Sequence, residues 1–479
     1  MTSSKIIKLL VICSCLLTCT IAFFTACGKQ AISVAGNWSS RVQVAESQQN
    51  FVGGLTLYKL HDRIIALQVK YSNSTKAYTP KCFTLNRSSS IWTETPFTGI
   101  PNDYLGVYPD LYHATVAIDQ ANNRAFFEHG YIENDNLVMN VLIGRVNLNG
   151  SMAVQDVIER KWMLDTKALF GETQSIVRLT ERPGTRDWPE LGVGVINGSE
   201  FYIPYYVKGF TYNRSGNAVA RGPNENGVFH SIDSGDKWQI ERISDSEAWL
   251  PTIVRTKDHY YYFATGASKE RERDFELWFA QKPVNGNSWG TPGIVTKTFV
   301  YGAYGQYAAV AEGESVHVCW MDVRHKKLKP DIGVFPPHLY RELGNCEIAY
   351  CQRKDSDANW NQSVILSKGL LYSYSPSISV EGNKVIIAWA SAESDGGPND
   401  ILYVTSKDGG KTWTNPLKVT SDAKDGKTSG EPQVMLLNGV IHLFYIQGAL
   451  EKPKQISPGL TKLHQGPWPI YYQRRPFPE

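Results

Sequence analysis

One short pattern, repeated along the chain, limits its fold more than any other feature of the sequence. The fullest copy is residues 406–413, Ser-Lys-Asp-Gly-Gly-Lys-Thr-Trp. A near copy, residues 231–238, differs in having lysine where the fullest copy has threonine. Shorter remnants end at Trp92, Trp289 and Trp360. Copies at such intervals predict a repeat architecture in which one supersecondary unit is used several times.

The residue types in this pattern suit a tight turn between two β-strands. The carboxylate of Asp408 can accept backbone N–H groups across the turn, and Gly410 can adopt the positive φ that other residues resist. Trp413 then offers a large apolar side chain with which to open the next strand. We therefore expect each copy to join two antiparallel strands, with a structural rather than a catalytic role for its aspartate.

A second repeat precedes the first and consists of an apolar strand, a turn of two or three residues and a more aromatic strand. Seven such hairpins begin near Leu55, Thr115, Leu191, Pro251, Tyr307, Pro376 and Pro432. Each of the first six is followed by a third strand, a turn and a fourth strand. In the second unit that turn is Asn149-Gly150, a favoured hairpin dipeptide. The units are therefore expected to form four-stranded antiparallel sheets.

The seventh unit ends with a third strand at about residues 468–475 and so lacks a fourth. Residues 38–45 resemble residues 413–420, the segment that begins at the tryptophan of the fullest turn pattern. We predict that this N-terminal segment supplies the missing strand, which places Val42 and Tyr471 in one sheet. Such pairing closes a ring of sheets and leaves no open sheet edge at that point.

The pattern Ser-x-Asp-x-Gly-x-Thr-Trp resembles the Asp-box, or BNR repeat, of the sialidase-like β-propeller superfamily, and the repeats cover most of the chain. The resemblance implies an all-β propeller of seven blades, with six, the number in sialidases, as the alternative. It also implies that the box residues are structural; they are Ser231, Asp233, Gly235, Trp238, Ser406, Asp408, Gly410, Thr412 and Trp413.

The N-terminus is typical of an exported bacterial lipoprotein. Lys5 and Lys8 precede an apolar run, and Ala26 stands directly before Cys27 in a segment that resembles a lipobox. We predict cleavage before Cys27 and lipid attachment to its thiol. An uncleaved membrane anchor and an ordinary secretory signal are the alternatives.

The predicted division of the chain follows from that cleavage site. It comprises a signal peptide at residues 1–26, a tether at residues 27–36 and a single propeller domain at residues 37–479. The expected location is the cell envelope, with attachment to a membrane through the N-terminal lipid only, and secretion as the alternative. Gly28 after the cysteine is compatible, by family analogy, with sorting to an outer membrane.

Composition narrows the possible partners. The 479-residue chain has a net charge of +3 and 20% charged residues, and it shows neither a basic block nor an RNA-type aromatic motif, so no nucleic-acid partner is predicted. The cysteines outside the signal and lipid sites are Cys82, Cys319, Cys346 and Cys351. Their spacing matches no zinc pattern, and we expect free buried thiols, with a disulfide from Cys319 as the alternative. We predict a monomer without metal or cofactor.

In a propeller of this topology, the connections between second and third strands gather at one mouth of the central channel. The longest connections here span residues 205–227, 264–274, 321–345, 390–400 and 446–467. Loops of such length are often functional. The candidate catalytic carboxylates are Glu247, Asp322 and Glu431, and the candidate substrate-binding residues are Arg324, Tyr301, Tyr304 and Tyr374.

The resemblance also implies a test of sialidase chemistry. Sialidases hold a sugar carboxylate with three arginines, use a tyrosine paired with glutamate as nucleophile and an aspartate as acid and base. The first of these arginines lies in a Phe/Tyr-Arg-Ile-Pro motif. The nearest string here, residues 201–204, has Tyr202 at the arginine position, so we interpret it as an ordinary second strand. Arg324 is the best-placed arginine.

Two functional hypotheses follow from these observations. The first is an envelope-anchored glycoside hydrolase that acts on glycans, of exo-α-sialidase type or a diverged relative. The second is a non-catalytic propeller that binds a glycan or a protein partner. Whether the chain is an enzyme stays open at this point.

Overall fold

The structure is a computed structural model that describes residues 37–47, 56–60, 63–72, 77–85, 91–96, 115–119, 124–133, 136–146, 154–163, 190–207, 210–212, 218–221, 225–234, 239–245, 248–267, 275–295, 307–322, 346–370, 372–394, 397–449, 454–457, 460–462 and 468–479. These residues belong to one unit, Ala35–Glu479. The helix found among them is a single 3-10 turn, Asp422–Asp425. No helix of the described part is long and apolar enough to span a membrane.

Seven sheets of four or more strands occur in this described part. The first sheet contains β2 (Thr56–Leu60), β3 (Arg63–Ser72), β4 (Ala77–Leu85) and β5 (Trp92–Pro96). The second contains β6 (Thr115–Asp119), β7 (Arg124–Glu133), β8 (Asn136–Val146) and β9 (Val154–Met163). The third contains β10 (Glu190–Leu191), β11 (Val195–Asn197), β12 (Glu200–Val207), β15 (Glu225–Ser231) and β16 (Gln239–Ser244). The fourth contains β17 (Ala248–Arg255), β18 (His259–Ala267), β19 (Phe275–Pro283) and β20 (Gly293–Ile294).

The remaining sheets continue the series. The fifth contains β21 (Tyr307–Glu312), β22 (Ser315–Asp322), β23 (Glu347–Lys354) and β24 (Val364–Ile365). The sixth contains β25 (Tyr372–Glu381), β26 (Lys384–Ala392), β27 (Asn399–Ser406) and β28 (Leu417–Lys418). The seventh contains β29 (Lys427–Leu437), β30 (Val440–Ala449), β33 (Trp468–Pro476) and β1 (Val42–Ser47). Two small hairpins, β13 (Phe210–Tyr212) with β14 (Ala218–Arg221) and β31 (Lys454–Ser457) with β32 (Leu460–Lys462), lie between second and third strands.

Within each of the first six sheets, antiparallel strands follow one another in chain order, as expected of propeller blades. The first strands coincide with the seven hairpins that the sequence predicts, and the all-β propeller fold is confirmed. Residues 97–114 and 164–189, which join three of the sheets, lie outside the described part. The count of seven blades therefore stays a prediction.

The two ends of the sheets differ. The turn between the third and fourth strands donates a backbone hydrogen bond to the turn between the first and second. The pairs are Ser234 N to Ser199 O (2.9 Å), Asp355 N to Glu314 O (2.8 Å) and Gly409 N to Asn383 O (2.9 Å). Both kinds of turn thus share one end of each of these sheets, which we call the turn end. The second-to-third connections lie at the other end, which we call the mouth end.

Consecutive sheets meet along their first strands, whose free edges would otherwise leave backbone N–H groups unpaired. At the seam between the sixth and seventh sheets, the hydroxyls of Ser377 and Ser379 accept hydrogen bonds from Val434 N (3.1 Å) and Leu436 N (2.8 Å). The carboxylate of Glu381 then accepts the next two N–H groups, at 2.7 Å each. Side chains of one sheet therefore satisfy the edge of the next.

Close approach at another seam requires glycine. The first strand of the third sheet is divided into β10 and β11 by residues 192–194, and Val193 O accepts a hydrogen bond from Ile253 N of the fourth sheet (2.8 Å). A Cβ atom on Gly192 would lie 1.5 Å from the carbonyl oxygen of Pro251. Only a residue without a side chain fits at this point.

In the fifth, sixth and seventh sheets, a tryptophan just before the fourth strand packs on the preceding sheet. Trp360 makes an edge contact with Phe279 (5.4 Å between ring centroids) and Trp413 with Tyr350 (4.8 Å). Trp38, just before β1, makes the same contact with Tyr403 (5.6 Å). These edge-to-face pairs fill the space between sheets with large apolar area.

The N-terminal strand closes the seventh sheet. Strand β1 pairs with β33, with Val42 opposite Tyr472 and Gln43 opposite Tyr471, so the prediction that Val42 and Tyr471 share a sheet is confirmed. The seventh sheet also packs on the first, because Trp92 makes edge contacts with Phe444 and Tyr472 (4.8 and 5.3 Å). The two ends of the described chain therefore meet.

An ion pair fixes this closing segment. The guanidinium of Arg41 donates to both carboxylate oxygens of Asp422 (3.1 and 2.9 Å) and to Oε1 of Gln447 (3.0 Å). Its charge also lies over the rings of Tyr445 and Tyr471, at 5.7 and 5.2 Å from their centroids. Asp422 belongs to the connection between the sixth and seventh sheets, so the pair ties the N-terminus to a segment 381 residues away.

We expect Arg41→Met to lower the free energy of unfolding by about 2 kcal/mol, because it leaves the mostly buried carboxylate of Asp422 without its charged partner. Urea titration followed by tryptophan fluorescence measures the loss. The matched control is Lys257→Met, which breaks the solvent-exposed pair with Glu314 and is expected to leave the free energy of unfolding nearly unchanged. Equal losses in the two variants would contradict the closing role of Arg41.

Two buried histidines occupy corresponding places in the fifth and seventh sheets. Nδ1 of His317 lies 2.7 Å from the hydroxyl of Tyr350, and Nδ1 of His442 lies 2.8 Å from the hydroxyl of Tyr472. Burial lowers the pKa of each imidazole to about 4. The folded protein therefore holds both rings neutral at pH values where the unfolded chain binds protons.

We predict that the free energy of unfolding falls as the pH is lowered from about 6.5 to about 4, since only the unfolded chain protonates these histidines in that range. Each histidine contributes at most about 3 kcal/mol to the fall. His317→Gln and His442→Gln should each flatten the profile in this window, and urea titrations across pH measure it. A profile unchanged in both variants would contradict the assignment.

Candidate functional site

The turn pattern at residues 406–413 is a closed network of hydrogen bonds at the turn end. Oδ1 of Asp408 accepts from the hydroxyl of Ser406 (2.8 Å) and from the backbone N–H groups of Lys411 (3.0 Å) and Thr412 (2.8 Å). The hydroxyl of Thr412 donates to Oδ2 (2.6 Å). The hydrogen bonds from Thr412 hold the pKa of the Asp408 carboxyl well below its usual range. Both carboxylate oxygens of Asp408 accept hydrogen bonds from within the turn, which gives this aspartate a structural role.

Glycine and tryptophan complete this turn. Gly410 has a φ of 90°, and its N–H donates to the hydroxyl of Ser406 (2.8 Å). The indole N–H of Trp413 donates to Gly410 O (3.0 Å). The sequence predicted that Trp413 opens the fourth strand, and this is wrong, because β28 begins at Leu417. The indole instead spans the gap to Tyr350 of the preceding sheet.

The second copy shows the same first contacts. The hydroxyl of Ser231 donates to Oδ1 of Asp233 (2.8 Å) and accepts from its N–H (3.4 Å), as in the pair Ser406 and Asp408. Gly235 and Trp238 lie outside the described residues. The identification of both turns with the Asp-box of a known family stays a prediction.

At the mouth end, one predicted catalytic residue is deeply buried. Asp322 ends β22 with 2% of its surface exposed, and Oδ2 accepts the indole N–H of Trp320 (3.0 Å). It stands directly opposite Glu347, which is 8% exposed, at the start of β23. Sequence reasoning did not single out Glu347. Two carboxylates face each other across neighbouring strands at this point.

In the sixth sheet, the residue that corresponds to Glu347 is Asp400, near the start of β27. Its carboxylate accepts hydrogen bonds from the hydroxyl of Thr420 (3.0 Å), the ammonium of Lys418 (3.1 Å) and Ala423 N (3.2 Å). These contacts fix the connection to the seventh sheet. In the fifth sheet, Ile348 N donates to the hydroxyl of Ser367 (2.7 Å), as Ile401 N donates to Thr420 (2.9 Å).

Tyr374 joins the fifth and sixth sheets at the same end. Its side chain packs in an apolar cluster with Met321 and Cys346, and it is 9% exposed. Met321 is the neighbour of Asp322 in the chain. The predicted binding residue Tyr374 is therefore close to the strand that carries the predicted catalytic residue Asp322.

Glu431 joins the sixth and seventh sheets. Its Oε1 accepts a hydrogen bond from the hydroxyl of Ser375 (3.0 Å), and both residues are partly exposed. Each precedes a proline, and each has a left-handed backbone, with φ of 49° for Glu431 and 51° for Ser375. Such a conformation is costly for a residue with a side chain and is found more often at functional sites. Both residues lie at irregularities in strand pairing near the mouth end.

We refer to Asp322, Tyr374, Ser375 and Glu431 as the mouth arc, because they follow one another across the fifth, sixth and seventh sheets. Sequence reasoning missed Ser375. Its signal was present, since Ser375-Pro376 and Glu431-Pro432 stand at matching places in two repeats, 56 residues apart.

Several predicted residues cannot be placed on this arc. Glu247, Arg324, Tyr301, Tyr304 and Cys27 lie outside the described residues. Among the residues that the structure describes, no group of three or more histidine, cysteine, aspartate or glutamate side chains could hold a metal ion. Cys319, Cys346 and Cys351 are free and buried, which confirms free thiols for these three.

The string at residues 201–204 is a buried second strand, as predicted from Tyr202. The ring of Tyr202 stacks on His230 (4.2 Å between centroids), and its hydroxyl donates to Oε1 of Glu200 (3.2 Å). His230 and Lys282 in turn donate to Glu241, at 2.8 Å each. Burial raises the pKa of Glu241, but these hydrogen bonds and the charge of Lys282 outweigh it and lower the pKa to about 2. The cluster ties the third sheet to the fourth near the turn end.

Comparison with known proteins adds a likeness of fold. No protein-family model and no curated protein sequence matches the chain. The chain is similar to Trypanosoma rangeli sialidase in complex with 2,3-difluorosialic acid, with a TM-score of 0.43 and 9% identity over 93% of this chain and 59% of the sialidase. It is also similar to the phage phi92 endosialidase, with a TM-score of 0.40 and 8% identity over 92% of this chain and 69% of the endosialidase. A third similar structure is YCF48 bound to D1 peptide, with a TM-score of 0.39 and 10% identity over 94% of this chain and 98% of YCF48. These values concern the fold alone, and the β-propeller assignment rests on the sheet topology.

We expect Gly410→Ala to destabilise the protein by about 3 kcal/mol. About 1 kcal/mol comes from the positive φ, and the rest from a Cβ atom that would lie 2.0 Å from the Tyr350 hydroxyl. The matched control is Gly426→Ala, which also has a positive φ but no atom within 4 Å, and should cost only about 1 kcal/mol. Thermal unfolding of both variants separates the cost of the positive φ from the cost of the clash with Tyr350. Equal losses of stability in the two variants would contradict a cost from that clash.

Proposed function

We propose that the protein is an envelope-anchored propeller that acts on a glycan at the mouth arc, as a glycoside hydrolase of exo-α-sialidase type or a diverged relative. The observation that carries the proposal is Glu431, a partly exposed carboxylate in a left-handed backbone conformation at the mouth end. The strain of that conformation is offset by the surrounding sheets, as is typical of functional positions. The resemblance of the turn patterns to the Asp-box supports a glycan as the ligand.

The residues of the mouth arc are of the kind that glycoside hydrolysis needs. Hydrolysis uses two carboxyl groups, or a tyrosine with a glutamate, set roughly 5 to 10 Å apart across the scissile bond. Glu431 would contact the sugar, and Ser375 holds its Oε1 in place (3.0 Å). Asp322, buried beside Trp320, is the proposed second carboxyl, and the small exposed part of Tyr374 is the proposed aromatic contact. Glu247 and Arg324 remain candidates for the same site.

A second function is favoured by a specific observation. The residue at the position of the first sialidase arginine is Tyr202, whose hydroxyl is engaged with Glu200 and whose ring is stacked on His230. That position therefore offers no guanidinium to a sugar carboxylate. A propeller without this clamp suits the binding of a glycan or a protein without cleavage, since a fold does not fix a function.

The anchoring is a proposal of its own. We propose that residues 1–26 are removed, that the thiol of Cys27 carries lipid and that the protein is otherwise a monomer exposed at the cell envelope. Metabolic labelling with a radioactive fatty acid tests this, with Cys27→Ser as the variant expected to lose the label. Retention of label by that variant would contradict it.

We expect Glu431→Gln to lower kcat by about 100-fold or more, because removal of a catalytic carboxylate typically costs that much. The measurement is hydrolysis of a fluorogenic sialoside and of a panel of other fluorogenic glycosides by the purified protein. The matched control is Glu393→Gln, an exposed carboxylate at the same end of the sixth sheet, which should leave kcat unchanged.

The outcomes separate the two functions. Full activity of Glu431→Gln with intact folding would contradict a catalytic role for this residue. If the parent protein cleaves none of the glycosides but binds an immobilised glycan, and Glu431→Gln weakens that binding, the non-catalytic function is favoured.

A further inference from the structure

The direction of the closing strand sets where the chain enters the propeller. Val440 follows the turn at Asn438 and Gly439 and pairs with Pro476, so Pro476 lies at the turn end. Strand β33 therefore runs from Trp468 at the mouth end to the turn end. Because β1 is antiparallel to it, with Ser47 opposite Trp468, the N-terminal end of β1 points toward the turn end.

Contacts before β1 hold this entry in place. Ser39 N donates to Arg474 O (2.8 Å), and the Ser39 hydroxyl accepts from Arg474 N (3.0 Å). The guanidinium of Arg475 lies over the ring of Trp38, at 5.8 Å from its centroid. The chain thus enters the seventh sheet beside the last residues of β33, on the side of the turn end, and is fixed from about residue 38 onward.

The length of the predicted tether limits how the propeller can be oriented relative to the membrane. Ten residues such as 27–36 can span at most about 35 Å. Strand β25 has 10 residues, which corresponds to roughly 33 Å from one end of the sheet to the other. A tether that starts at the turn end reaches past the mouth end only when it is almost fully stretched.

From this geometry we infer that the lipid-anchored protein stands with its turn end toward the membrane and its mouth arc away from it. The inference rests on the lipidation of Cys27 put forward above. It narrows the substrate class of the proposed function, because the mouth arc then meets glycans that approach from the surrounding medium. Sugar headgroups of lipids in the same membrane lie on the opposite side.

Exposed lysines at the two ends provide the test. Lys384, Lys407 and Lys411 are exposed at the turn end, and Lys368 and Lys427 are exposed at the mouth end. The lipidated protein is placed in vesicles of phosphatidylethanolamine and phosphatidylglycerol and is treated with an acetylating reagent. Mass spectrometry measures the acetylation rate of each of these lysines. We expect the three turn-end lysines to react at least about threefold more slowly on vesicles than in detergent, with the mouth-end lysines unchanged.

A longer tether is the control. Insertion of about twenty glycine and serine residues after residue 30 should restore most of the turn-end reactivity, because the reach of a flexible chain grows with its length. Protection of Lys368 and Lys427, or equal rates at both ends, would overturn the orientation. If the isolated protein carries no lipid, the anchoring proposal fails by itself, and the same labelling after a lipid is coupled to the Cys27 thiol still decides the orientation.

Discussion

The free edges of the first strands are the constraint on which the rest of this fold depends. A sheet of four strands leaves about every second N–H group of its first strand without a partner in that sheet, and burial of such groups is costly. In the seam between the sixth and seventh sheets, Ser377, Ser379 and Glu381 supply the acceptors in turn. Elsewhere Gly192 lets the backbones approach directly. At both of these seams, one sheet depends on its neighbour for hydrogen bonds to its first strand.

The hydrogen bonds between neighbouring sheets differ between the turn end and the mouth end. Toward the turn end, the seam of the sixth and seventh sheets is a regular ladder, and the oxygens of Asp408 in the adjoining turn are used within that turn. Toward the mouth end the ladder becomes irregular, and the hydroxyl of Ser375 donates a hydrogen bond to the carboxylate of Glu431 across the seam. This hydrogen bond helps to fix the position of a partly exposed carboxylate. That is why we propose the mouth arc as the place of the chemistry.

The sequence predicted those parts of the fold that repeat or that are local. The seven hairpins, the pairing of β1 with β33 and the buried strand at residues 201–204 follow from periodicity, from turn dipeptides and from the likeness of residues 38–45 to residues 413–420. The left-handed backbones of Ser375 and Glu431 could not be predicted, because they result from bulges set by pairing between distant segments. The same holds for the hydrogen bond of Trp320 to Asp322 and for the meeting of Asp322 with Glu347, which require the strand register. Glu247, Arg324, Tyr301 and Tyr304 stay predictions.

The pairing of β1 with β33 also orders events during synthesis. The hydrogen bond between Arg41 and Gln447 joins residues 406 positions apart, and the partners of β1 in β33 follow it in the chain by a similar distance. The seventh sheet therefore cannot pair with β1 until β33 has left the ribosome. Such late, long-range pairing slows folding. The first strand that the structure describes is therefore held back from its sheet until more than four hundred later residues have been added.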